Sequence, residues 1–264
     1  MRKIGIIFQA VPGLSDEEFA EEMAKQGFQT TFTGVYDRER HEKLAKLFKK
    51  YGIECETLHA PFNHINDMWL DCEAGEQMLA ELKTSVDYCA IVNASIVVVH
   101  LSSGYTPPPI TDIGRARYAE LVEYATQKNV KVAFENQRKA SYLAWALETF
   151  EDNPMVGFCW DCGHEACCMN GREFMPFYGK QLLCTHIHDN CGENGADDHL
   201  LPFDGVVNFE RFAEHIQKSG FQGSFMLESH NSIHKYDDWT AKEFLVQAAQ
   251  RVKKLVEMTD GVAI

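Results

Sequence analysis

Several side chains that can bind metal or move protons stand at or just beyond the ends of short apolar runs. They are His59 in LHAPF, His100 in VVVHLSSG, Glu135 in VAFENQ, Asp161 and His164 in FCWDCGH, His186 and His188 in CTHIHDN, and Glu228 in FMLESHN. Carboxylate oxygens and imidazole nitrogens are ligands for Mn, Zn, Co or Mg. A carboxylate beside a polarised substrate can also take or return a proton. Any one of these residues alone would more often cap a loop or pair with a neighbour. As a set they point to a cation, because gathering carboxylates and imidazoles in one buried place is costly unless a positive charge compensates.

The elements that would carry them alternate. Strand-like runs are expected at Lys3–Phe8, Thr30–Val35, Glu54–His59, Ile96–His100, Val130–Glu135, Val156–Asp161, Leu182–His188 and Ser224–Glu228. Helical stripes lie between them, such as Tyr118, Leu121, Val122 and Ala125, or Phe244, Leu245, Ala248, Val252, Leu255 and Val256. Both stripes have the 3.6-residue period of a helix with one buried face. Eight such units predict a single (β/α)8 TIM barrel over residues 1–264, with no second domain. Parallel strands all end on one rim, so the polar set converges there. His188, two positions beyond His186, is set aside, one of the pair being expected to turn away from the lumen.

Local signals agree with this division. Ser15 and Glu18 have the spacing of a capping box. Gly27, Gly52 and Gly220 follow helical stretches, where a left-handed cap is wanted. Pro107, Pro108 and Pro109 stiffen the loop after the fourth strand, and residues 189–208 read as a long loop rich in Gly, Asn and Asp.

The formal charge of −14, from 25 Lys+Arg against 39 Asp+Glu, argues against a nucleic-acid partner, which would want a basic face. No run of about 18 apolar residues is present, so no membrane span is expected. The apolar stretch before Gln9 is about six residues, short of a secretory h-region of roughly 7–15. A cytoplasmic protein is therefore expected. The nine cysteines are odd in number. Cys159, Cys162, Cys167 and Cys168 cluster, but no second CxxC completes a zinc set, so they are read as packing thiols.

With these residues in view, the chain resembles the xylose-isomerase-like superfamily of barrels. The motifs are W-D-x-G-H (Trp160 to His164), H-x-x-D (His186 to Asp189), D-x-H-x-x-P-x-x-G (Asp197 to Gly205) and the strand-eight Glu228. The resemblance runs from about Ile4 to Leu255. It implies one divalent ion (Mn, Zn, Co or Mg) on Glu135, Asp161, His186 and Glu228, and no organic cofactor. It also implies that Glu135 and Glu228 are the proton-moving catalytic pair, acting next to a metal-polarised carbonyl or hydroxyl of a small-molecule sugar or polyol. His59, His100, His164, Asp197 and His199 would bind substrate or a second metal, His164 touching a substrate oxygen. Trp69 and Trp160 are candidates for an apolar substrate wall, though for Trp160 packing against the helix layer is the stronger reading.

The activity implied is that of a metal-dependent sugar isomerase or epimerase. Two alternatives stand beside it: an inosose-type dehydratase, which shares the enolisation step, and an endonuclease IV-like enzyme with three zinc ions. The ligand types of that nuclease all occur here in order, as His59, His100, Glu135, Asp161, His164, His186, Asp197, His199 and Glu228. Against it stand the net charge and the acidic loop after strand three. Two departures bear on substrate. Related ketose 3-epimerases place an Arg where this chain has Gly192 and a Glu where it has Ser141, which argues against their grip on free ketoses. Members of the superfamily are often dimers or tetramers, so the resemblance leaves a homo-oligomer open.

Overall fold

The computed structural model describes residues 2–193, 195–231 and 233–261. Among these residues, the strands are β1 Ile4–Ile7, β2 Thr30–Gly34, β3 Glu54–His59, β4 Ile96–Val99, β5 Lys131–Glu135, β6 Val156–Asp161, β7 Leu182–His186 and β8 Phe225–Leu227. The helices are α1 Asp16–Gln26, α2 Arg38–Tyr51, α3 Glu73–Val92, α4 Asp112–Gln127, α5 Ala140–Thr149, α6 Cys162–Cys168, α7 Met175–Tyr178, α8 Phe209–Ser219 and α9 Ala241–Asp260. All eight expected strands are present, each within two residues of its expected ends. The hydrogen-bonded strand order is β7-β6-β5-β4-β3-β2-β1-β8. Its two end strands are joined by a parallel bridge between Ile187 and Leu227. Strands β4 and β6 are buried along their whole length, as parallel strands covered on both faces must be.

By internal contacts the chain divides into two compact units. The first comprises Met1–Phe32, Lys46–Glu54 and Trp160–Ile264; the second comprises Thr33–Ala45 and Cys55–Cys159. In the first unit, β1 pairs in parallel with β2 (Gly5 opposite Thr30) and with β8 (Ile4 opposite Phe225). Helix α1 starts on the expected Ser15/Glu18 capping box and ends at Gly27 with φ 87°; α8 ends at Gly220 with φ 75°. Arg2 fastens β1 to the end of α9: its guanidinium donates to Asp260 Oδ2 (3.1 Å) and to Gly223 O (2.7 Å) and lies 4.5 Å from the Phe225 ring centroid.

Among its described residues the 189–208 loop carries no helix or strand, yet it is tightly anchored. Asp189, fully buried, exchanges backbone hydrogen bonds with Leu200. Its carboxylate accepts the backbone N–H groups of Asn190, Gly205 and Val207, each at 2.9 Å. Three donors on one buried carboxylate replace the secondary structure that the segment lacks.

In the second unit, β3 to β6 run in parallel, with Leu58 opposite Val97 and Glu135 opposite Cys159. Ahead of α3 lies a 3-10 turn, Ile65–Trp69. Arg117 of α4 holds it by donating to the carbonyls of Asp67, Met68 and Leu70. Trp69 packs on α4 where Gly114 has no side chain; a Cβ there would overlap the indole.

Candidate active site

The second unit builds a cluster around Glu135, which is 1% exposed at the end of β5. His59, the last residue of β3, donates Nδ1–H to the carbonyl of Ala60 at 2.8 Å. A ring nitrogen facing a carbonyl must carry the hydrogen, so in the neutral imidazole Nε2 carries none and offers its lone pair. That lone pair is aimed at Glu135 Oε2, 3.2 Å away. His100, one residue past β4, faces the same carboxylate. Its Nε2 receives the Gln137 amide at 3.2 Å and stands 3.0 Å from the same Oε2. Gln137 also donates to Glu135 Oε1 at 3.3 Å. Two imidazole nitrogens crowded on one buried carboxylate oxygen make a place that a cation, a proton or a metal ion, would suit.

The first unit builds a larger cluster. Asp161 ends β6 and caps α6, its Oδ1 accepting the His164 backbone N–H at 2.7 Å. His164 Nε2 lies 3.1 Å from Asp197 Oδ2. His199 sits at φ 50° in the long loop, donating Nδ1–H to the carbonyl of Glu228 at 2.8 Å and turning Nε2 to Asp197 Oδ1 at 3.4 Å. The ligand atoms of His164, His188, Asp197 and His199 all lie within 4.8 Å of one another. His186 ends β7, stacks on Phe32 (4.6 Å between centroids) and places Nδ1 3.2 Å from Glu228 Oε2.

Electrostatics follow from this packing. Burial alone would strip the proton from His199, but the hydrogen bond to Asp197 and the charge of Glu228 outweigh it and raise the imidazole to about 9. Burial alone would raise Asp197, yet the bonds from His164 and His199 hold it far below the ordinary carboxylate range. His230, stacked on His199 at 4.1 Å, is lowered to about 4 by burial and by its charged neighbour.

Two sequence expectations are corrected here. His188 does not turn away. Side chains two apart on a strand share a face, and its Nε2 meets Asp161 Oδ1 at 3.0 Å while its ring stacks on His199 at 4.1 Å. The spacing from His186 was itself the signal. Nor do Trp69 and Trp160 face a ligand. Trp69 is fully buried against Tyr118 and Trp145, its Nε1 donating to the carbonyl of Leu101 at 2.7 Å. Trp160 points oppositely to its neighbour Asp161 and stacks on Phe212 of α8 at 4.7 Å. The cysteines are all free, with Cys159, Cys162, Cys167 and Cys168 buried. Gln137 and Phe62, both in contact with His100, were missed because neither residue type announces such chemistry.

Parallel strands in sequence order, with buried carboxylates and imidazoles just past their ends, define a (β/α)8 barrel with its polar groups at the C-terminal ends of the strands. The family model for the xylose isomerase-like TIM barrel matches residues 18–256, and the chain belongs to that family. Among curated proteins, it is 26% identical over 206 residues to an uncharacterised protein of Methanocaldococcus jannaschii, covering 71% of this chain and 68% of that one. It is 28% identical over 163 residues to one of Sinorhizobium fredii, spanning about half of that protein (51%) and 56% of this chain. Among solved structures, a D-tagatose 3-epimerase-like protein has TM-score 0.79 at 22% identity, with 98% of each chain covered. An IolI protein with a bound zinc atom has TM-score 0.78 at 18% identity, covering 96% of this chain and 98% of that one. A D-psicose 3-epimerase in the presence of D-fructose has TM-score 0.76 at 14% identity, covering 98% and 100%. At such identities the structures show the fold. No helix among the described residues is long and apolar enough to cross a membrane.

Proposed function

We propose that this chain is a divalent-metal-dependent isomerase or epimerase of a small sugar or polyol, working as one barrel domain over residues 1–264 in the cytoplasm. The observation that supports the metal is how the imidazoles are oriented: His59 and His199 each give Nδ1–H to a backbone carbonyl and turn Nε2 toward a carboxylate, Glu135 and Asp197, and His100 turns Nε2 toward the same Glu135 oxygen. Fixing one ring nitrogen so that the other is free to coordinate is how metal-binding histidines are held. The donor chemistry, oxygen and nitrogen with no thiolate, fits Mn, Zn, Co or Mg.

In this reading Glu135, Asp161, His186 and Glu228 hold the catalytic ion. Once bound, the ion acidifies the C–H beside a substrate carbonyl or hydroxyl by polarising its oxygen. Glu135 and Glu228 are the proton carriers, one removing a proton and the other returning it to the opposite face. His164 binds a substrate oxygen, and Gln137 keeps the Glu135 carboxylate in one orientation. The family and the sugar epimerases among its structural neighbours support the substrate class. An inosose-type dehydratase shares the first proton abstraction.

One observation favours a second reading, an endonuclease IV-like enzyme with three zinc ions. The His164, His188, Asp197 and His199 ligand atoms already form a compact group of their own. The charge of −14 disfavours it. Elemental analysis of protein purified without chelator or metal-affinity tag separates the two. About one ion per chain, with solvent deuterium entering a sugar during turnover in D2O, supports the isomerase. About three zinc ions per chain, with incision of abasic-site DNA, supports the nuclease. Failure to take up metal on titration overturns both.

A further inference from the structure

We propose that Phe62 is the substrate platform that the buried tryptophans do not provide, and that it selects a sugar in its ring form over an open chain. The proposal rests on the sugar reading of the site and names how that site grips its ligand. Phe62 is 42% exposed; further along the segment Ile65, Met68 and Trp69 are fully buried and Leu70 is again exposed at 41%, away from the imidazoles that Phe62 touches. Its ring lies over His100 with centroids 4.3 Å apart and planes 26° apart, and it meets His59 edge-on at 5.6 Å. Both imidazoles face Glu135. The exposed aromatic is therefore set directly upon the imidazole pair of the Glu135 cluster.

Its backbone is held firmly. The carbonyl of Phe62 accepts the Ile65 N–H at 3.1 Å, and Ala60 N–H pairs with Val98 O at 2.9 Å. Asn66 exchanges side-chain hydrogen bonds with Ser103, donating to its carbonyl and accepting its N–H at 2.9 Å each. The ring is thus presented by a fixed loop, at little entropic cost on binding. An aromatic face is electron-rich and attracts polarised C–H groups, and it excludes water from whatever rests on it. A pyranose offers a flat array of axial C–H groups to such a face. An acyclic polyol must first be ordered to do so. The absence of an Arg at position 192 and a Glu at position 141, where Gly192 and Ser141 stand, removes the polar grip expected for free ketoses. A platform beneath the ring supplies a grip of a different kind.

The test is calorimetric titration of Mn-loaded protein with D-glucose, a pyranose in water, and with D-sorbitol, its open-chain counterpart. Wild type and Phe62→Tyr should bind D-glucose at least about fivefold more tightly than D-sorbitol. Phe62→Ala should bind the two within about twofold of each other. All three proteins should bind Mn2+ within about threefold of one another, because the platform is no ligand. Equal preference in wild type and Phe62→Ala, or no binding of D-glucose by wild type at 100 mM, overturns the proposal. So does a loss of Mn2+ affinity in Phe62→Ala that tracks its loss of sugar, which would make Phe62 a shield for the imidazoles. Turnover is read separately by deuterium incorporation: a ring preference without exchange into any sugar would sink the isomerase reading and leave the platform standing.

Discussion

The two polar clusters are built from the same residue types and held by opposite means. Around Glu135, every imidazole comes from a strand end or the residue beyond it, and the carboxylate is the last residue of its strand. Around Asp197, His164 comes from α6 and His188 from just past β7, but Asp197 and His199 sit on a loop, and that loop's order comes from Asp189 and its three backbone N–H partners. Sheet geometry fixes the first cluster. In the second, a buried carboxylate does that work, so a single side chain is responsible for a whole segment.

The comparison can be broken first at its chemistry. Glu135→Gln or Glu228→Gln keeps the shape of each cluster and removes its proton carrier, so either variant should lose at least about 100-fold in kcat with its fold intact. Near-normal deuterium exchange in either variant would end the two-glutamate mechanism. The next test is the contrast in anchoring. Asp189→Asn turns an amide N–H toward backbone donors and should cost about 2–4 kcal/mol, read as a fall of roughly 5–10 °C in the thermal midpoint. An unchanged midpoint would mean that the loop is held by something other than this carboxylate.

The smallest expected effect lies on α6, at the residue after His164. Burial raises Glu165 to about 7, partly offset by the hydrogen bond from the Phe174 N–H. Its ordinary value is 4.5, so between about pH 4.5 and 7 the folded chain holds a proton there that the unfolded chain has released. Stability from this group is full below that window and is lost as pH rises through it. Glu165→Gln should therefore stabilise the protein at pH 8 by about 2 kcal/mol and change nothing at pH 4. An equal effect at both values would show that the carboxyl is not held neutral.

Most of the frame was legible in the sequence because a buried parallel strand announces itself as an apolar run, as Ile96–Val99 does. The strand-end residues followed from that frame. What stayed hidden depended on contacts distant in sequence. Asp189 looks like any loop acid until Gly205 and Val207 are folded onto it. Trp69 reads equally well as wall or core until Gly114 of α4 is seen to make room for it. Phe62 differs from a core phenylalanine only in being left uncovered. His188 was within reach, since alternation along a strand places it beside His186.

The contact between Gly163 and the His188 ring couples two positions 25 residues apart. Any Cβ at 163 would overlap the imidazole. The helix that delivers His164 and the strand extension that delivers His188 therefore constrain each other sterically. A lineage that enlarges position 163 must first shrink position 188, and with it gives up a hydrogen-bond donor to Asp161. Drift at one position is closed off by the other, so the glycine between Asp161 and His164 records the presence of a histidine far along the chain.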